Sequence, residues 1–436
     1  MRGTHTVKII PVKRALLLLL GFSAQAFGTG LGSYTELVVS DSATSPRSGV
    51  RVTYLGTNGY QLEFKGHALL IDPYFSRVDL LSVAVGSHIQ PDISRIADGM
   101  RHLTPRVDAI LVTHGHFDHL LDAPIIMSKT HTCLIASRSS IDLVRQLPAR
   151  SVTHSIAGAP DASAFAKRFD TVTAGDVRRI GPWKIRVLAA AHDRLFGKVP
   201  FDRHEPRSAG PPQRASDWIC GEPLAFLIEI NGQRIYIDSG GTSAQLPPNE
   251  RVDLAILGMA LPDSRARLPA ALERLQPRYV LPSHQDNFFL PLSDGFQFGP
   301  LTDFTRVQRD CLRASGSRLI LLDYFRPWTL PAAVNPKHQI PNNTEPTLNL
   351  QMEDSSKPRD LEDRTFRFAS SVRTFVKQLP RTVSNAEDVR QLVRASGSVA
   401  ANWIEADAAL SKKDFLMRVK ICRKEAKESG FARRVR

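Results

Sequence analysis

The chain has 436 residues, 42% of them hydrophobic and 23% charged, which is enough apolar material to bury a large core and leave a second unit beside it. Four widely spaced cysteines, Cys133, Cys220, Cys311 and Cys422, exclude a Cys-x-x-Cys pair and a dense disulfide framework; they read as buried or free thiols, with a Cys133–Cys220 bridge left open. The formal charge of +14 suits an anionic partner or surface, but such a balance governs solubility and non-specific attraction rather than chemistry.

At the N-terminus, Arg2, Lys8, Lys13 and Arg14 precede the apolar run 15–22, and Ser23, Ala24, Gln25 and Ala26 come next with small residues at the spacing a signal peptidase reads. Residues 1–26 are expected to be a cleaved signal peptide, which makes the mature protein periplasmic or secreted; an uncleaved anchor or a mis-called start is the alternative. The run is shorter than the roughly 20 residues of a membrane-spanning helix. No later segment has that character, so no stable membrane span is expected after cleavage.

From residue 51 to about 330, short β-type runs alternate with polar or helical stretches, the pattern of an α/β domain. Strands are expected at 51–54, 61–64, 68–71, 109–112, 134–136, 185–189, 225–230, 234–237, 254–257 and 279–281. Gly56, Asn58, Gly59, Lys65 and Gly66 mark turns in an opening meander, and Asn231-Gly232 is a strong hairpin signal. The stretch 192–221 is rich in Pro, Arg, Gly and Ser without periodicity, so it is expected to be a long loop near the active site. Residues 331–362 hold five prolines among polar residues and read as a linker. Beyond it the apolar period becomes helical: one helix ends before Pro380, a second runs from Ser384 to about Leu410, and Ser411 caps a third. From Asp363 onward 17 Lys/Arg stand against 8 Asp/Glu, so the basic balance belongs mainly to this segment, 363–436.

The segment that carries chemistry is Ala109-Ile-Leu-Val-Thr-His114-Gly-His116-Phe-Asp118-His119, an apolar strand running straight into four potential ligands. Imidazoles and a carboxylate this close in a loop can face two adjacent divalent cations. His192, Asp238 and His284 each come just after an expected strand, so a sheet can deliver all of them to one edge.

This ordered set resembles the metallo-β-lactamase superfamily over residues 51–323, which implies an αββα sandwich. By that resemblance His114, His116 and His192 bind a first metal, Asp118, His119 and His284 a second, and Asp238 bridges the two. Asp118 and Asp238 then serve catalysis as well as metal binding. The implied activity is hydrolysis by a metal-bridging hydroxide of an ester, lactone or phosphodiester in a small, anionic substrate. The donor set suits zinc, with manganese or iron as alternatives. Asp118 and Asp238 also set the chain apart from true β-lactamases, in which the aspartate bridge is typically absent and a cysteine often stands at the second site.

The run from Gly59 to Pro73 resembles the branch containing ascorbate-6-phosphate lactonase and the N-acyl phosphatidylethanolamine phospholipase D type. Asp72 in that run reads either as a carboxylate orienting a ligating imidazole or as a turn residue ahead of Pro73. Asp193, Arg194, Gln285 and Asp286 flank ligands and are candidates to support them. His204, with Asp202, Arg203, Glu205 and Arg207, could touch an anionic substrate or simply be solvated. His67, His88, His102, His131, His154 and His338 have no matching spacing and read as ordinary surface or hydrogen-bonded residues.

Residues 366–429, through the stretches Gln391–Ala406, Ser411–Phe415 and Ile421–Glu428, resemble the four-helix-bundle family encoded by ribosomal-RNA intervening sequences. The chain ends where that family continues into its last helix, so a small, incomplete all-α bundle is expected. The resemblance implies a homo-oligomer formed through this tail, in addition to a small-molecule substrate at the metal site. The competing reading of the whole chain is a binding or scaffold protein without turnover, acting on nucleic acid or the ribosome through the basic helices. An export signal argues against that, and no nucleic-acid partner is expected.

Overall fold

A computed structural model describes residues 30–42, 49–130, 132–147, 165–195, 197–206, 210–241, 250–313, 316–332, 361–376, 383–407, 409 and 411–434. The expected signal peptide, nearly all of the linker, His131, His154, Arg207 and His338 lie outside these residues. The chain divides into two compact units, residues 1–338 and 339–436.

In the first unit the short apolar runs become fourteen strands among the described residues. They are β1 (Val50–Gly56), β2 (Gly59–Phe64), β3 (His67–Ile71), β4 (Ala109–Leu111), β5 (Cys133–Ala136), β6 (Phe169–Thr171), β7 (Val177–Ile180), β8 (Trp183–Ala189), β9 (Leu224–Ile230), β10 (Gln233–Ile237), β11 (Leu254–Gly258), β12 (Tyr279–Ser283), β13 (Arg318–Leu319) and β14 (Trp328–Leu330). They form two seven-stranded sheets ordered β14-β1-β2-β3-β4-β5-β6 and β13-β12-β11-β10-β9-β8-β7. Both sheets are built alike. Strands β14-β1-β2-β3 and β7-β8-β9-β10 pair antiparallel, and beyond them β3-β4-β5-β6 and β10-β11-β12-β13 pair parallel. The parallel strands β4 and β11 are wholly apolar because both faces are covered. Between β9 and β10, Asn231 and Gly232 both take positive φ and pair Ile230 with Gln233, the two-residue hairpin the sequence predicts.

The period-two alternation sorts side chains between layers. Leu69, Ile71 and Leu111 face the second sheet, in one core with Trp183, Ile185, Phe226, Ile235 and Ile256. Leu70, Ile110, Val112 and Leu134 face outward into a second core with Ile96, Leu120, Ile126 and Ile141. These last come from helices α1 (Leu80–Val85), α2 (Ile93–Met100), α3 (Phe117–Leu120), α4 (Ala123–Thr130) and α5 (Arg138–Arg145) and their surroundings. On the other sheet, α6 (Pro262–Leu275) and α7 (Phe304–Arg313) bury Leu268, Leu272, Leu275, Phe304 and Val307. The result is the αββα sandwich.

All ten expected strands are present, most of them a residue or two longer. The four that sequence patterning misses, β6, β7, β13 and β14, are two to four residues long or, like Val-Arg-Arg-Ile in β7, too polar to show alternation. Residues 192–221 contain, where described, one short turn of helix at Ala215–Asp217 and isolated bridges, but no strand, in line with the expected loop. Cys133, Cys220, Cys311 and Cys422 are all free thiols, so the Cys133–Cys220 bridge is not formed.

The second unit holds α8 (Leu361–Val376), α9 (Val383–Asp407) and α10 (Lys412–Arg434). Ser411 Oγ accepts from the Asp414 amide and caps α10 as expected. Helix α9 packs on both neighbours, burying Ala369, Leu392, Ala395, Val399, Ala406 and Cys422. Phe375, Ile404, Leu416 and Met417 remain exposed. No described helix is long and apolar enough to cross a membrane.

Candidate metal centre

Strands β3, β4, β8, β10 and β12 end at the same edge of the sandwich, and just past each end stands a polar residue that its own strand could not tolerate. Asp72 comes after β3, Thr113 and His114 after β4, His192 after β8, Asp238 after β10 and His284 after β12. Ligands collect at the carboxyl ends of strands in α/β sheets for this reason.

Six of the seven expected ligands form two triads. His114, His116 and His192 bring one donor atom each to within 4.8 Å of one another, and Asp118, His119 and His284 do the same. All are buried except His192, which is partly exposed. The rings of His114 and His119, one from each triad, lie 4.0 Å apart.

The hydrogen bonds behind the rings assign the tautomers. Thr113 Oγ1 gives its only proton to Asp72 Oδ2 at 2.6 Å, so at 3.1 Å it accepts from His114 Nδ1. His116 Nε2 donates to the Pro200 carbonyl (2.9 Å), His192 Nδ1 to the Asp193 carbonyl (2.7 Å) and His119 Nδ1 to Asp72 Oδ2 (2.8 Å). In its neutral form each of these rings therefore presents its other nitrogen, unprotonated, to the site. His114 Nε2 and His116 Nδ1 face each other at 2.9 Å. Two lone pairs at that separation repel unless a cation lies between them, so the donor set fits a metal ion. His284 turns Nε2 toward Asp118 Oδ2 at 3.1 Å, and its buried Nδ1 has no partner among the described residues.

Electrostatics keep the first triad neutral. Burial and the neighbouring imidazoles hold His114 and His116 well below the usual histidine range, and burial brings His192 down to about 4. At the second triad, burial pulls His119 down, but the carboxylates of Asp118 and Asp72 outweigh it and leave it raised. Burial likewise opposes ionisation of Asp118, and the imidazoles of His119 and His284 overcome that and lower it.

Asp238, the expected bridge, joins neither triad. Its carboxylate accepts from Tyr236 Oη (3.1 Å), the Gly240 amide (3.2 Å) and the Gly258 amide (3.1 Å). Burial raises it to about 6 against those three bonds. Gly258 is required for this closure, since a Cβ there would lie 2.4 Å from the Gly240 nitrogen. The adjoining Ser239 Oγ is 3.5 Å from His119 Nε2, which places the Asp238 segment beside the second triad.

Asp72 acts on a ligand: besides His119 it accepts from Thr113 N (2.7 Å) and Asn58 Nδ2 (2.8 Å). Asn58, by sequence no more than a turn residue, has a further role. Its Oδ1 accepts from Ser283 Oγ at 2.6 Å, while Thr57 takes the His284 amide on its carbonyl (2.7 Å) and gives its own amide to Asp286 (3.0 Å). The tip of the β1–β2 hairpin thus ties the support of His119 to that of His284. Arg77, which no sequence signal marks, is fully buried and bonds Asp286 at 2.8 Å. Gly56 leaves room for it, because a Cβ there would sit 1.7 Å from Arg77 Nη2. Of the other flanking candidates, Asp193 pairs with Arg267, and Gln285 is buried with its carbonyl accepting from Gly299 and Thr302. Arg194 and His204 are exposed, and His204 does not line the site.

Beside the triads lies a cavity of about 380 Å³ that reaches His116, Asp118, His119, His192 and His284. Leu195, Pro200 and Phe201 of the 192–221 loop form one wall, so that loop does border the site. No lysine or arginine among the described residues lines it.

Residues 51–205 match the family model described as "Beta-lactamase superfamily domain". The chain is similar to a "UPF0173 metal-dependent hydrolase" of Anaeromyxobacter sp. (strain K), 29% identical over 199 residues, 44% of this chain and 63% of the relative. Its likeness to the protein of the same description from Carboxydothermus hydrogenoformans is 24% over 261 residues, 57% of this chain and 90% of the relative. Among solved structures it resembles Igni18, a metallo hydrolase from Ignicoccus hospitalis (16% identity, 65% of this chain, 99% of that chain, TM-score 0.41). It also resembles an isothiocyanate hydrolase from Delia radicum gut bacteria (12% identity, 65% and 100% covered, TM-score 0.41). The described fold, the paired His/Asp triads, the family-model match over residues 51–205 and the likeness to the two curated relatives together place the chain beside metal-dependent hydrolases of the metallo-β-lactamase fold.

Proposed function

We propose that the protein is a binuclear metal-dependent hydrolase of the lactonase or phosphodiesterase type. His114, His116 and His192 would hold one divalent cation, Asp118, His119 and His284 a second, and Asp238 would lie between them. The observation that carries this reading is the pair of triads, five of their six members buried and four of their five imidazoles held from behind by a hydrogen bond. The description of the similar relatives as metal-dependent hydrolases supports it.

Divalent cations bound there supply Lewis acidity for a carbonyl or phosphoryl oxygen and lower the pKa of water at the site. The chain's own residues do the rest. Thr113, Asp72, Pro200 and Asp193 fix which nitrogen His114, His119, His116 and His192 present, and the buried setting keeps the first triad unprotonated at neutral pH. The mixed His/Asp set suits zinc, with manganese or iron as alternatives. We further propose that the mature protein is exported and that the exposed apolar residues of α8–α10 take part in self-association.

A hydrolysis panel of lactones, carboxylic esters, thioesters, phosphodiesters and nitrocefin tests the proposal, with chelator-treated protein and protein reloaded with zinc, manganese or iron. Turnover of a lactone, ester or phosphodiester that is lost on chelation and restored by one metal is expected, with nitrocefin inert. Activity unchanged by chelation, or confined to nitrocefin, would contradict it.

A further inference from the structure

The cavity beside the triads leads us to propose that the substrate carries an uncharged, apolar group next to the scissile bond, and that this cavity binds it. The inference rests on the triads being the reactive centre. The walls come from four separate parts of the chain: Leu80 and Val83 of α1, Leu195 and Phe201 of the long loop, Leu261 just before α6, and Phe288, Phe289 and Leu301 of the connection between β12 and α7. Phe201 stands edge-on to His116 at 5.8 Å and Phe288 edge-on to His284 at 5.0 Å, so the apolar surface reaches one ligand of each triad.

The carboxylates that line the cavity and Thr302 are already engaged, and the buried His284 Nδ1, without a partner among the described residues, belongs to the triads themselves. Asp118 is paired with His119 and His284, Asp193 with Arg267 and Asp286 with Arg77, while Thr302 donates its hydroxyl to the Gln285 carbonyl. A carboxylate or phosphate on the far end of a substrate would therefore be desolvated among rings and acids with no lysine or arginine among the described lining residues to receive it. An alkyl or aryl group loses nothing there and gains about fourfold in affinity per buried methylene. At about 380 Å³ the space lies toward the small end of ligand pockets and fits one such group rather than a polymer. Any negative charge on the substrate is confined to its reacting end, against the triads.

The test is calorimetric titration of the full-length, zinc-loaded protein with acetate, hexanoate and adipate, three carboxylates that share the metal-facing end and differ only in the remainder of the molecule. Hexanoate is expected to bind at least about tenfold tighter than acetate or adipate. Combining Val83→Ser with Phe289→Ser should reduce the hexanoate affinity at least about fivefold while leaving acetate affinity and zinc content unchanged. Adipate binding as tightly as hexanoate, or hexanoate no tighter than acetate, would overturn the assignment. Failure of the hydrolysis panel with the hexanoate preference intact would remove the hydrolase reading and leave the cavity standing as the binding site of a ligand's apolar group. Turnover confined to substrates with a charged far end would do the reverse.

Discussion

Replacing Asp286 by alanine isolates an electrostatic cost hidden behind the site. The Asp286 carboxylate and the Arg77 guanidinium are both fully buried and 2.8 Å apart. Burial would raise Asp286, but Arg77 and the Tyr324 hydroxyl (2.6 Å) hold it below the usual carboxylate range. In Asp286→Ala the Arg77 charge stays buried with its carboxylate partner gone; its Nε and Nη1 already lack acceptors among the described residues. The Thr57 amide loses its acceptor as well. Breaking a buried pair in this way costs about 3–5 kcal/mol, a large share of the roughly 5–15 kcal/mol that holds a domain together. Urea unfolding monitored by tryptophan fluorescence measures it, since Trp183, Trp218 and Trp328 are buried in the first unit. A fall in the midpoint without a change in slope is expected. The double variant Arg77→Met/Asp286→Ala, taken with the single Arg77→Met, should recover much of the loss and give a coupling energy above about 2 kcal/mol. Single variants costing less than about 1 kcal/mol would refute the reasoning.

Asn58→Ala cuts the link between the supports of His119 and His284 and should cost about 1–3 kcal/mol of stability, with a roughly 10- to 100-fold weaker second metal and a first metal little changed; competitive chelation titration separates the two, and equal weakening of both would contradict a positioning role. Truncation after Ala332, the last residue accepting from Arg278, should keep kcat/KM within about tenfold, or roughly 1.4 kcal/mol, while abolishing self-association in sedimentation; a larger loss of activity would mean that the tail completes the site. Expression in a Gram-negative host should yield periplasmic protein beginning at Phe27, and intact Met1 recovered from the cytosol would contradict export.

The strands and the ligand candidates are legible because both are local signals: an apolar run says strand, and a histidine immediately after it says sheet edge. Val-Thr-His114-Gly-His116 shows this at its plainest. What supports the ligands is not legible, because it depends on partners far away in sequence. Asn58 meets Ser283 at a separation of 225 residues and Arg77 meets Asp286 at 209, so in sequence one looks like a turn residue and the other like a surface cation. The cavity escapes for the same reason, since Leu80, Phe201, Phe288 and Leu301 are ordinary apolar residues until distant segments of the chain converge. Asp238 is legible as a carboxylate at a strand end, but its three bonds to Tyr236, Gly240 and Gly258 are not.

The central claim is two metal sites with separate ligand sets, and elemental analysis of purified protein tests it most directly. The wild type should carry two divalent cations per chain, and both His114→Ala/His116→Ala and Asp118→Ala/His119→Ala should carry one, each with its remaining triad intact. Equal metal content in the wild type and both double variants would contradict the account.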